Sequence, residues 1–159
     1  MEFFAWLEAT ELALRIGESW WFPLLESIHV VAVALTVGSL LMIDLRLLNV
    51  AARRYPVTAM TRELLPWTWV AFAIAVLTGL GLFITRAVHY LENPAFQFKL
   101  LSLALAGFNM AYLHFGPLRR VAAWDMSATT PVSVKLTASA SLLFWAGVIL
   151  AGRWIGHLS

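Results

Sequence analysis

From residue 20 onward the chain is written in four long apolar runs, 20–48, 65–88, 94–116 and 132–155, separated by short polar stretches. Each run reaches the roughly 20 helical residues needed to cross a hydrocarbon core about 30 Å thick. The runs are continuous and lack the short alternating segments of a membrane barrel, so strands are excluded. The pattern predicts an all-α fold, an integral membrane four-helix bundle. Ahead of it, Glu8, Glu11, Arg15 and Glu18 recur at i, i+3, i+7 and i+10, with Phe3, Phe4, Trp6, Leu7 and Leu14 over the remainder. Residues 2–18 therefore read as an amphipathic helix lying on the membrane surface. The connections "NVAARRYPVTAMTREL", "RAVHYLENP" and "RRVAAWDMSATTP" carry Pro, Asn, Ser or Thr where helices start and stop. None can hold a second domain and no repeat is visible, so residues 1–159 read as one transmembrane domain.

Composition agrees with the pattern. Among 159 residues, 61% are hydrophobic and 13% charged, too apolar a balance for an ordinary soluble domain. The acidic start and the lack of an unbroken apolar core near the N-terminus do not read as a secretory signal peptide. Cysteine is absent, which removes disulfides and thiolate metal sites. Arg46, Arg53, Arg54, Arg62, Arg119, Arg120 and Lys135 gather at one end of the spans, against Arg15, Arg86, Lys99 and Arg153 at the other. The positive-inside rule places the first group in the cytoplasm of a bacterial inner membrane and both termini in the periplasm. Trp20, Trp21, Tyr90 and Trp154 then form the outer aromatic belt, and Trp67, Trp69 and Trp124 the inner one. Small residues in "TGLG" and "TASASLLFWAG", with Gly38, Ser39 and Gly107, predict close helix contacts. The basic residues sit beside spans, which gives no reason to invoke nucleic acid.

The first span, "LESIHVVAVALTVGSLLMIDLRL", carries ionisable groups that lipid cannot solvate. Glu26 and Asp44 are five helical turns apart and leave the helix in one direction; His29 lies about 60° away and Thr36 about 20° from His29. This polar stripe is expected to face the bundle interior, with Glu26 and Asp44 towards opposite edges. On the second span Thr78, Thr85 and His89 fall within about 40° of one another, and Glu92 follows His89 at i+3 if the helix continues. On the third, Lys99, Ser102, Asn109 and Tyr112 form a stripe that leaves His114 to one side. His157 lies near the C-terminus and reads as interfacial.

Glu26-x-x-His29 and His89-x-x-Glu92 thus come to the same side of the membrane. A Glu and a His at i, i+3 share a helix face and can address one ion, and imidazoles from two helices can ligate haem iron. One reading is a haem b held by His29 and His89, with one haem per chain as the ceiling. By helix rise His29 lies roughly 9 to 13 Å deeper than the belt, so tilt or another second ligand is required. The other reading is a copper, zinc or iron site made by Glu26, His29, His89 and Glu92. Thr36 and Asp44 are candidates for a proton route or for orienting the ligands.

The stretch "WWFPLLESIHVVAVALTVGSLLMIDLRLL", followed by three further spans, resembles a family of small uncharacterised bacterial inner-membrane proteins over the whole chain. More distantly, "ESIHVVAVALTVGSLL" is similar to the first helices of copper-resistance D membrane proteins and to membrane b-type cytochromes, onto whose histidines only His29 maps. The expectation is electron transfer at the outer side of the membrane with a quinol or a periplasmic redox or metal protein. Ion handling is the alternative, and a non-catalytic subunit whose stripe docks a partner helix or a second copy is the third.

Overall fold

A computed structural model describes residues 1–125 and 129–157, and its elements among these residues are all helices. Two short helices, α1 (Glu2–Glu8) and α2 (Glu11–Gly17), precede α3 (Trp21–Leu47), α4 (Val57–Ile84), the short α5 (Ala87–Glu92), α6 (Pro94–Phe115), a 3₁₀ segment (Pro117–Ala123) and α7 (Val132–Trp154). The four helices α3, α4, α6 and α7 are long and apolar enough to cross a membrane, with mean hydropathies of 2.1, 2.0, 1.2 and 1.7 over their most apolar windows.

The element ends follow from local chemistry. Instead of one surface helix there are two, because Thr10 adopts an extended conformation and its hydroxyl oxygen accepts from Ala13 N at 3.3 Å, starting a new helix. Both are tied to the bundle. Glu8 Oε1 accepts from Val88 N at 2.8 Å, supplying an acceptor to the open start of α5, and Phe4 meets Phe83 edge to face at 6.3 Å. The second span begins at Val57, earlier than its apolar run, and breaks near Arg86, so His89 and Glu92 belong to α5. Asn93 starts α6 by accepting from Ala95 N, with Pro94 at the first position, and its amide nitrogen donates to Ile155 O at 3.1 Å. Asn49, with φ of 60°, ends α3: Val50 N reaches Leu45 O and Asn49 N reaches Arg46 O, both at 3.0 Å.

Packing divides the spans into two hairpins. α3 lies along α4 and α6 along α7; the hairpins meet along α3 and α7, while α4 and α6 do not pack along their length and meet through the Phe83–Phe96 ring stack, 5.5 Å between centroids, near the end that carries the termini. Glycines set the close approaches within each hairpin. A β-carbon on Gly79 of α4 would come within 3.0 Å of the His29 ring, and one on Gly147 of α7 within 3.1 Å of Ser102 Oγ. Gly38 and Gly107, expected to do the same, face open space within 4 Å.

The end opposite the termini is closed by a cluster of Ile43, Leu47, Val57, Trp124, Val134 and Ala138, and beneath it by an arginine clasp. Arg46, 2% exposed, donates through Nε to Tyr55 O (2.7 Å), through one terminal nitrogen to Asn49 Oδ1 (3.1 Å) and through the other to Asp125 O (3.0 Å). Asp125 in turn accepts from Thr58 N at 3.0 Å and from the Thr58 hydroxyl, capping α4. Arg46 was expected only as one of the charges that orient the chain; here it knits two connections together.

Burial pushes the Asp125 carboxyl up, but the Thr58 hydroxyl and amide bonds, with Arg46 nearby, outweigh it and hold the group below its ordinary 3.8. A depressed folded-state value means that the carboxylate's contribution is complete above 3.8 and is lost as the pH falls through the folded-state value. The difference in thermal unfolding midpoint between the native protein and Asp125→Ala should therefore shrink at acid pH. Arg46→Ala should lower stability by about 3 kcal/mol, since it strips charge-assisted hydrogen bonds from buried acceptors, and Arg46→Lys should recover only part of that.

Candidate functional site

The first span's polar stripe divides into three parts. Glu26 is exposed, about a turn and a half from the start of α3, where a carboxylate can reach water; it is not part of the interior. His29 is half-buried against α4, its Nδ1 2.9 Å from Ala75 O and 3.1 Å from Thr78 Oγ1. A carbonyl only accepts, so Nδ1 carries the proton and Nε2 a lone pair. Thr36 and Asp44 are buried, 2% and 4% exposed, and line one cavity.

His29 is thus brought together with Thr78, while His89 and Glu92 are exposed on α5, where the His89 ring neighbours Tyr90 at 6.1 Å. Among the described residues no group of three His, Asp or Glu side chains is placed to hold a metal ion. Lys99 on α6 lies within electrostatic range of the His29 ring. Ser102 packs at Gly147, Asn109 Nδ2 donates to Thr137 O at 2.9 Å, and Tyr112 is exposed. The third span's stripe therefore serves mainly its contact with α7. His157 is exposed beyond α7, and His114 is exposed at the rim of the cavity.

The cavity is the chemical centre that the sequence pattern did not reveal. It measures about 440 Å³ and lies between the hairpins, in the half of the bundle nearer the arginine clasp. α3 and α7 form its back, and α4 and α6 its sides. Because α4 and α6 do not pack along their length, the remaining side opens towards lipid, past exposed Trp69, Gly107 and Ala111. Aromatic rings line the wall from the opening inward: Trp69 and Phe72 meet at 6.0 Å, and Phe72 and Trp145 at 6.3 Å, both edge to face. Spacing of i, i+3 for Trp69 and Phe72 and of i, i+4 for Ser141 and Trp145 was the available signal. Trp69 was instead assigned to the interfacial belt.

The hydroxyl groups of the wall are committed within the protein. Thr36 Oγ1 donates to Ala32 O at 2.8 Å and Thr61 Oγ1 to Val57 O at 2.9 Å. Thr68 Oγ1 lies 2.7 Å from Ser39 Oγ and 2.9 Å from Leu64 O. Each hydroxyl has one proton and spends it within the protein, leaving only lone pairs to offer. Asp44 differs. The Ser141 hydroxyl lies beside its carboxyl, yet Oδ2 is buried with no hydrogen-bond partner. Such an atom normally has one.

No curated protein and no solved structure matches the chain, and no similarity to copper-resistance D proteins or b-type cytochromes emerges. A family model does match, across residues 3–158. The chain therefore belongs to the family of unknown function DUF6644.

Proposed function

We propose that this multi-pass membrane protein binds a small amphipathic molecule that dissolves in the bilayer and reaches the cavity sideways between α4 and α6. The observation that carries this reading is the unpartnered Asp44 Oδ2 in an otherwise apolar cavity of about 440 Å³. That size is within the roughly 300–1,000 Å³ range of small-molecule sites, which pair apolar walls with a few convergent polar groups. The quinol expected from the sequence as a partner belongs to this class. The arginine excess at the clasp end favours a cytoplasmic position for that end, with both termini across an inner membrane. Access from lipid makes the opening independent of either aqueous face.

Gly107 tests the cavity directly, since a side chain there meets nothing within 4 Å and would grow into the opening. With the protein in lipid nanodiscs, 9-(hydroxymethyl)anthracene should bind saturably, read as energy transfer from tryptophan to the probe. Gly107→Phe should weaken that binding at least fivefold without loss of helicity. Equal binding by both proteins would place the probe elsewhere and defeat the reading.

A second reading, electron transfer through a b-type haem or a bound copper, zinc or iron ion, has one observation in its favour. His29 donates from Nδ1 to a carbonyl and keeps Nε2 for a ligand, the arrangement that metal-binding imidazoles use. His89 is the expected second haem ligand, and Glu26, His89 and Glu92 the expected partners around an ion; all three are exposed near the end that carries the termini. Protein purified in detergent should then show a Soret band, or stoichiometric metal by elemental analysis, that His29→Ala removes. A colourless, metal-free preparation eliminates this reading and leaves the cavity untouched.

A further inference from the structure

We infer that the cavity selects a lipophilic cation, an aromatic or aliphatic body carrying a protonated amine, with Asp44 as the counter-charge. The inference rests on the cavity being a binding site and adds the chemical class of its ligand.

Three observations point the same way. First, the hydroxyl and amide groups around the cavity have little to donate, and the remaining donors of the wall, the Trp69 and Trp145 indoles and exposed His114, do not reach Asp44 Oδ2. Thr36, Thr61 and Thr68 spend their hydroxyl protons on protein oxygens, and Asn109 directs its amide nitrogen at Thr137 O. A ligand group seated beside Asp44 Oδ2 must bring its own donor, and an ammonium group brings up to three. Second, among the described residues no cationic side chain pairs with Asp44. Arg46, two residues away, leaves the helix on roughly the opposite side. Its nitrogens are occupied by Tyr55 O, Asn49 Oδ1 and Asp125 O. Among the described residues the one ion pair is the exposed Arg15 to Glu11 contact, far from the cavity on α2. Buried charges are ordinarily paired and an unpaired one takes up a proton, so Asp44 as a carboxylate needs a cation from outside the chain. Third, Trp69, Phe72 and Trp145 line the same cavity, Trp145 one helical turn from the Ser141 that flanks Asp44. Aromatic faces hold an apolar body and attract a cation that comes near them.

The head group is decided by comparing three probes with one body: 9-(aminomethyl)anthracene, 9-(hydroxymethyl)anthracene and 9-acetylanthracene. Each is titrated at neutral pH into protein in nanodiscs of uncharged lipid, and energy transfer from tryptophan is corrected for partition into protein-free discs. The amine should bind at least tenfold more tightly than the alcohol or the ketone. Asp44→Asn should abolish that preference, bringing the affinity of the amine down to that of the alcohol. Phe72→Leu should weaken all three alike, because it contacts the body rather than the head. The preference among heads is measured on the native protein, so the outcome does not depend on whether Asp44→Asn folds. Equal affinities, or a preference for alcohol or ketone, overturn the cation and leave the cavity reading standing; no saturable binding by any probe ends both.

Discussion

Helices can be drawn together inside a membrane only by packing and polar contacts, because lipid tails are as apolar as the side chains themselves. In this chain the close contacts are spent within hairpins. Gly79 lets the His29 ring lie against α4, and Gly147 lets Ser102 lie against α7. Between hairpins, α3 and α7 meet along a seam that includes fully buried Val134 and Ala138, whereas α4 and α6 are joined through the Phe83–Phe96 stack at the end that carries the termini and diverge below it. Two pairs joined on one side leave a cleft on the other. The cavity is thus a consequence of where the small residues fall.

Each end of the bundle holds that arrangement in a different way. At one end, Asn93 links the start of α6 to Ile155 beyond α7, and Glu8 ties α1 to the start of α5. At the other, Arg46 satisfies carbonyls of the first and third connections at once. A guanidinium suits that task, since its fixed fork presents several donors and it is always charged. Asp44 and Arg46, neighbours in sequence, therefore serve different structures. The arginine faces the loops and completes the end, while the carboxyl faces the cleft.

Much of this was legible in the chain. Four spans, their approximate limits, and the packing roles of "TGLG" and the fourth span's small residues follow from length, hydropathy and residue size. Helical rotation correctly turned Thr36 and Asp44 inward. It failed for Glu26, because angle alone ignores depth, and a side chain close to a helix start can reach water from the same face. Continuity from Thr78 to His89 assumed an unbroken helix, whereas the chain turns at Arg86, so His29 lies against Thr78 and His89 stands on a separate short helix. The cavity was hidden for a deeper reason. Periodicity identifies which face of a helix is buried, but not which pair of helices will fail to pack along their length.

Why Oδ2 of Asp44 is left without a partner follows from its chemistry. Ser and Thr inside a membrane helix can solve their own problem by donating to the carbonyl a turn earlier, and Thr36, Thr61 and Thr78 all do so. Aspartate as a carboxylate has no proton to give, and the backbone amides of a helix interior are already bonded. It can be satisfied only by a donor from another element or from outside the chain. The neighbouring helix supplies the Ser141 hydroxyl for one part of the carboxyl and nothing for Oδ2. A leucine would fill the same position at less cost, so the carboxyl is most simply understood through what enters beside it.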